Sequence, residues 1–133
     1  MIAEVILVDG QVKNFKKEVV KKVRQLADFL PKKGTIEVYL IGSRRMKTLN
    51  KKFRGKDKAT NVLSFASPKN FPGEKLGEVY LDPIYIKNHR EDLALMLVHG
   101  VLHILGYAHE KRSDRIRMEK KERQLLFKLG ASR

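Results

Sequence analysis

The segment from Leu93 to Leu105 constrains this chain more than any other. It is apolar at nearly every position, with leucine, valine, isoleucine and methionine running through it. A helix apolar nearly all round belongs in a protein interior. The run is too short to span a bilayer, which takes about 20 such residues. The pattern therefore predicts a buried helix over about 91–105. Two histidines interrupt it, His99 and His103. Side chains four apart share one helix face, one turn above the other. Both imidazoles must then lie inside the protein or along a cleft. Gly106 follows, and glycine ends helices in a left-handed turn. Such a reversal can carry His109 back over the same face. Three neutral imidazoles around one point, with a fourth position open for water, make a catalytic zinc arrangement. His99, His103 and His109 are the candidate metal ligands.

The spacing HxxxHxxxxxH, with its intervening glycine, is shared with the metzincin proteases. Those enzymes place a glutamate after the first histidine as general base. Here that position is Gly100. Its identity argues against peptide hydrolysis by that route. Hydrolysis as such stays open, because zinc lowers the pKa of bound water to about 7. His89 lies ten residues before the cluster without a matching partner and reads as a core histidine.

Charge narrows the partner. The chain of 133 residues carries 29 Lys and Arg against 15 Asp and Glu, a net charge of +14. That balance points to a polyanion, nucleic acid first. A merely solvated basic surface is the plainer alternative. There is no cysteine, so disulfides and thiolate ligands are excluded and a reducing cytoplasm fits. The opening run MIAEVILVDG lacks a basic leader and reads as a strand, not a signal peptide. No membrane association is expected.

The rest of the chain reads as one α+β domain over 1–133, a mixed four-stranded sheet packed with helices. Strands are expected at 2–8, 35–41, 61–66 and 77–81. Val12, Phe15, Val19, Val23, Leu26, Ala27 and Leu30 recur at helical spacing up to Pro31. Ser43 is the expected cap of a short helix bearing Met46, Leu49 and Phe53. Ser113 is the expected cap of a last helix that stops at Gly130. Strand order does not follow from the sequence.

Three stretches carry a family resemblance. HGVLHILGYAH resembles the HGxLHLxGYDH signature of the YbeY family of metal-dependent endoribonucleases. LNKKFRGKDKATNVLSF resembles that family's LNxxYRxxDxPTDVLSFP region, and LGEVYL its LGDIxI strand. The resemblance implies a zincin-like fold with its metal-binding helix near the C-terminal third. It implies one Zn2+, or another divalent ion, on His99, His103 and His109. It also implies that Arg54 is functional, so Arg54 joins the three histidines as a candidate catalytic residue. Family members are single-strand-specific endoribonucleases that process small-subunit ribosomal RNA, especially its 3′ end, and act in ribosome quality control. The implied partners are single-stranded ribosomal RNA and the ribosome or its proteins.

The chain departs from the signature in places. Ala108 stands where an Asp usually precedes the third histidine, with Glu110 a possible substitute. Ala59 and Ala66 replace prolines, and Asn61 replaces an Asp. Arg54 could clamp a phosphate oxygen through its planar fork. Lys51, Lys52, Lys56 and Lys58 are candidates for tracking an RNA backbone. Phe65 reads as core, and Ser64 as either a substrate contact or a sheet residue. Two other functions compete. One is a ribosome-associated assembly factor with a structural zinc. The other is a divergent metzincin-like metalloprotease.

Overall fold

In the computed structural model, residues 2–68, 73–108 and 110–130 are described; His109 lies outside them. Four strands form one sheet: β1 (Ile2–Leu7), β2 (Thr35–Leu40), β3 (Val62–Ala66) and β4 (Lys75–Leu81). Their spatial order is β1-β2-β4-β3. β1, β2 and β4 run parallel, and β3 runs antiparallel along the outer side of β4. The sheet is thus mixed, as expected, and β3 is an edge strand.

Strand periodicity decides what each face meets. Ile36, Val38, Leu40, Val79 and Leu81 point one way and are fully buried. On that face pack the two helices α1 (Lys16–Ala27) and α4 (Leu93–Ile104), with α5 (Arg112–Lys128) against α4. The remaining helices are α2 (Ser43–Arg54) and α3 (Pro83–Asn88). On the opposite face Tyr39 stacks on Tyr80 with ring centroids 4.7 Å apart. Lys75 there bridges Glu37, at 2.8 Å, and Glu78. A smaller apolar cluster of Ile41, Met46 and Leu63 seats α2 beside the tyrosines.

Several boundaries differ from expectation, each for a local reason. The apolar pattern from Val12 is a 3-10 turn, Gly10–Phe15, followed by α1, and α1 ends before Pro31. A residue preceding proline disfavours helical backbone. Ser43 does not cap α2. Gly42 holds the N-cap position, and the Ser43 hydroxyl instead donates to Asp82 at 2.6 Å. Ser113 is not a cap either: α5 begins at Arg112, with Lys111 before it. Helix α3 was unforeseen. Asp82, buried among its neighbours, accepts the Tyr85 N–H at 3.0 Å, and Pro83 opens the helix. The dipeptide that ends β4 therefore starts a helix in the same step. No helix among the described residues is long and apolar enough to cross a membrane.

Candidate active-site cleft

Helix α4 is anchored at both ends. Asp92 accepts hydrogen bonds from the Ala94 and Leu95 N–H groups at 2.9 and 3.4 Å. At the other end Gly106 takes φ +100. The Gly106 N–H donates to the His103 carbonyl at 3.1 Å, and the Tyr107 N–H to the Leu102 carbonyl at 3.0 Å. Those two bonds define a Schellman turn, which needs the left-handed residue that glycine supplies. The expected left-handed turn after the histidine helix is present.

Between these anchors α4 buries Leu97, Val98, Val101 and Leu102 against the sheet and leaves His99 and His103 half-buried. Gly100 explains how closely it lies. A Cβ at that position would meet Val79 Cγ1 at 2.9 Å, Ser64 Oγ at 3.0 Å and Val62 Cγ2 at 3.1 Å. The Ser64 hydroxyl also donates to the Gly100 carbonyl at 3.0 Å. Position 100 thus faces the sheet, and a glutamate there has no space. Ser64 is a sheet-to-helix tie in this respect, although it also borders the cleft.

His99 and His103 line a cleft of about 590 Å³ together with Arg54, Asn61, Val62, Ser64, Met96 and Ile104. The Nε2 atoms of the two histidines lie 3.1 Å apart. Two nitrogens each 2.0–2.1 Å from a tetrahedral ion sit roughly 3.3–3.4 Å apart, so this separation suits a shared cation. The Nδ1 of His99 is 2.7 Å from Glu122 Oε2, with side-chain exposures of 26% and 13%. A carboxylate there holds Nδ1 as the donor and turns the Nε2 lone pair toward the cleft. The pair fits a metal. Among the described residues no group of three His, Cys, Asp or Glu converges on one point; the third candidate, His109, is outside them.

Arg54, at the end of α2, reaches the cleft from the edge of the sheet. Its Nη2 donates to the Ser64 carbonyl on β3 at 3.1 Å and its Nη1 to the Phe53 carbonyl at 3.3 Å. Its guanidinium lies over the Phe65 ring, 4.8 Å from the centroid. Asn50, buried one turn earlier, donates to the Lys58 carbonyl at 2.8 Å and ties the following loop to α2. The arginine is thus held by hydrogen bonds and ring stacking beside the two histidines. Phe65 is half-buried, packing edge-on against Phe53 and Tyr80.

The four lysines are not brought to this cleft. Lys51, Lys52, Lys56 and Lys58 are exposed, and none borders it. Lys51 instead lies 4.0 Å from Asp57, which also pairs with Lys47 at 3.9 Å. His89 corrects another expectation. It is exposed at the end of α3, stacked on Tyr85 at 3.7 Å with Nδ1 2.8 Å from the Tyr85 carbonyl. The chain turns there, with Arg90 at φ +56, and does not carry His89 into the core. Glu122 is the residue sequence reading missed. It had a signal: Met118, Glu122 and Leu125 share one face of α5, so a carboxylate sits on a buried stripe. Ala108 puts no acid at the position before His109; among the described residues, Glu122 is an acid that meets a histidine.

The family model for Endoribonuclease YbeY matches residues 4–130. An Endoribonuclease YbeY of Anaplasma marginale is 39% identical over 129 residues, covering 91% of this chain and 84% of that protein. One from Thermodesulfovibrio yellowstonii is 32% identical over 152 residues, covering 95% and 96%. The solution structure of TM1509 from Thermotoga maritima superposes with a TM-score of 0.62 at 22% identity, over 96% of this chain and 89% of that one. This last likeness concerns the fold.

Proposed function

This chain belongs to the YbeY family of endoribonucleases, and on that premise we propose that its histidine cleft is a zinc-dependent site for cutting single-stranded ribosomal RNA. The chain is a nuclease, a hydrolase of RNA phosphodiester bonds. One observation carries the site assignment: Arg54 borders the same cleft as the converging His99 and His103 nitrogens. Phosphodiester cleavage needs a cation at the non-bridging oxygens and an activated nucleophile. A guanidinium presents five N–H donors in a rigid plane. The main-chain bonds to Ser64 and Phe53 hold that plane beside the cleft, so little ordering is needed when phosphate arrives.

His99 and His103, with His109 as the third ligand, would hold the ion. Zinc in such a site supplies Lewis-acid activation of water and of a phosphoryl oxygen. Glu122 orients His99, and Met96 and Ile104 give the cleft an apolar wall that limits water. The zincin-like description of the fold belongs to this same reading. The substrate we assign is the small-subunit ribosomal RNA, its 3′ end first, met on or near the ribosome.

Two observations weigh against a metalloprotease. An extended peptide would pair with an exposed sheet edge. The edge at this cleft is β3, and Arg54 already occupies its Ser64 carbonyl. Position 100 is also packed against Val79 and Val62, where a protease would need its glutamate. The test compares single-stranded RNA cleavage by the wild-type chain, by His103→Ala and by wild type after chelation. We expect a loss in the last two at least as large as the roughly 10–100-fold that removing a ligand's orienting partner costs. Equal activity in all three would refute the assignment.

A further inference from the structure

The net charge of +14 is not accounted for at the cleft. The lysines nearest Arg54 are exposed away from it, and two of the basic residues of α2 pair with Asp57. A denser cluster lies elsewhere. Lys17, Lys21 and Arg24 follow one another at i, i+4 and i+7 on α1, and Lys13 lies one turn before them in the 3-10 segment. All four are exposed. With Lys16 and Lys22 they line a groove of about 1160 Å³ that closes against Leu129 at the end of α5. Glu18 is the one acid of that lining, and its pair with Lys22 is long, at 4.0 Å.

Like charges one turn apart repel, and each such pair lowers helix stability. A stripe of them, with Glu18 alone beside it, works against the fold of α1. The opposite face of α1 is already spent: Val19, Val23 and Leu26 are buried in the core. The basic face therefore has no packing role. A polyanion would relieve the repulsion. The stripe rises about 16 Å along the helix axis. At ~3.4 Å per stacked nucleotide that is about five nucleotides.

We propose that this face of α1 is a second RNA-binding surface, which grips phosphate backbone of the same RNA at a distance from the cut. The inference rests on the endoribonuclease reading for the identity of the polyanion. Position supports it. α1 packs on β1, and the cleft lies along β3, at the other edge of the sheet. Three strand spacings, about 14 Å, separate those edges. RNA held at both places must be several nucleotides longer than the segment in the cleft. Length-dependent affinity without sequence readout follows, because backbone contacts carry no base information.

The test uses the full chain and its triple variant Lys17→Gln, Lys21→Gln, Arg24→Gln. Binding of a fluorescent single-stranded RNA of about 30 nucleotides is measured by anisotropy across a salt series. Each lost phosphate contact removes about 0.7 from the slope of log K against log salt, so the slope should become shallower by about 2. The variant should melt no lower than wild type, since it loses only self-repulsion. An unchanged slope would overturn the proposal. So would loss of binding to phosphatidylglycerol vesicles with RNA binding intact, which would make the surface a membrane contact. A wild-type chain that binds RNA with the steep slope but never cuts it would sink the endoribonuclease reading and leave this surface standing.

Discussion

Glu122 offers the sharpest perturbation. Its carboxylate lies 2.7 Å from His99 Nδ1, and neither side chain is more than about a quarter exposed, at 13% and 26%. Glu122→Ala removes the group that holds the ring and raises the basicity of its Nε2. Losing such an orienting partner costs a metal site about 10–100-fold in affinity, or roughly 1.4–2.7 kcal/mol. Glu122→Gln should cost less, because its amide oxygen can still accept the Nδ1–H while the charge is gone. The two variants thus separate orientation from charge. Competition for zinc against a chromophoric chelator reads the affinity directly, with circular dichroism confirming the fold. A folded Glu122→Ala chain that binds zinc as tightly as wild type would refute the reasoning. It would mean that His99 is held by α4 alone.

Arg54→Lys keeps the charge but loses the planar fork, and kcat/KM for single-stranded RNA should fall at least tenfold; unchanged kinetics would remove Arg54 from the site. Gly100→Ala places a methyl 2.9 Å from Val79 Cγ1, so it should destabilise by about 1–3 kcal/mol despite the better helix propensity of alanine. Thermal melting checks this, and a raised Tm would show that α4 can move off the sheet. Acid should also destabilise the fold. The hydrogen bond from Arg45, helped by the Gly42 N–H, holds Asp9 below its usual pKa of 3.8, and Lys75 and Tyr39 hold Glu37 below 4.5. Folded values below unfolded ones mean stability present above those pH values and lost as pH falls through them. A Tm that stays flat from pH 6 to about pH 3 would contradict that, given unperturbed carboxyl values near 4.

Some of this protein is legible in its sequence alone. The apolar run of α4 had to be buried, and a helical period of 3.6 then puts His99 and His103 on one side of it. Gly106 had to allow a left-handed turn, and it does, at φ +100. The alternation in β2 and the β-branched residues of the strands were local signals as well, read from neighbours a few residues apart. Helix caps were less legible, because Ser43 found a partner 39 positions away in Asp82, and no local rule anticipates that.

What tertiary structure alone decided is who meets whom across the fold. The order β1-β2-β4-β3 makes β3 an edge and brings Arg54 over it to the histidines. Glu122 reaches His99 only because α5 packs on α4. The absence of a glutamate at position 100 looked in sequence like a lost catalytic base. In three dimensions it is the price of close packing, since the helix lies too near Val79 and Val62 to carry a glutamate there. Periodicity and turn chemistry act over one or two turns of chain. Sheet order, helix docking and the meeting of distant side chains depend on the whole core condensing at once.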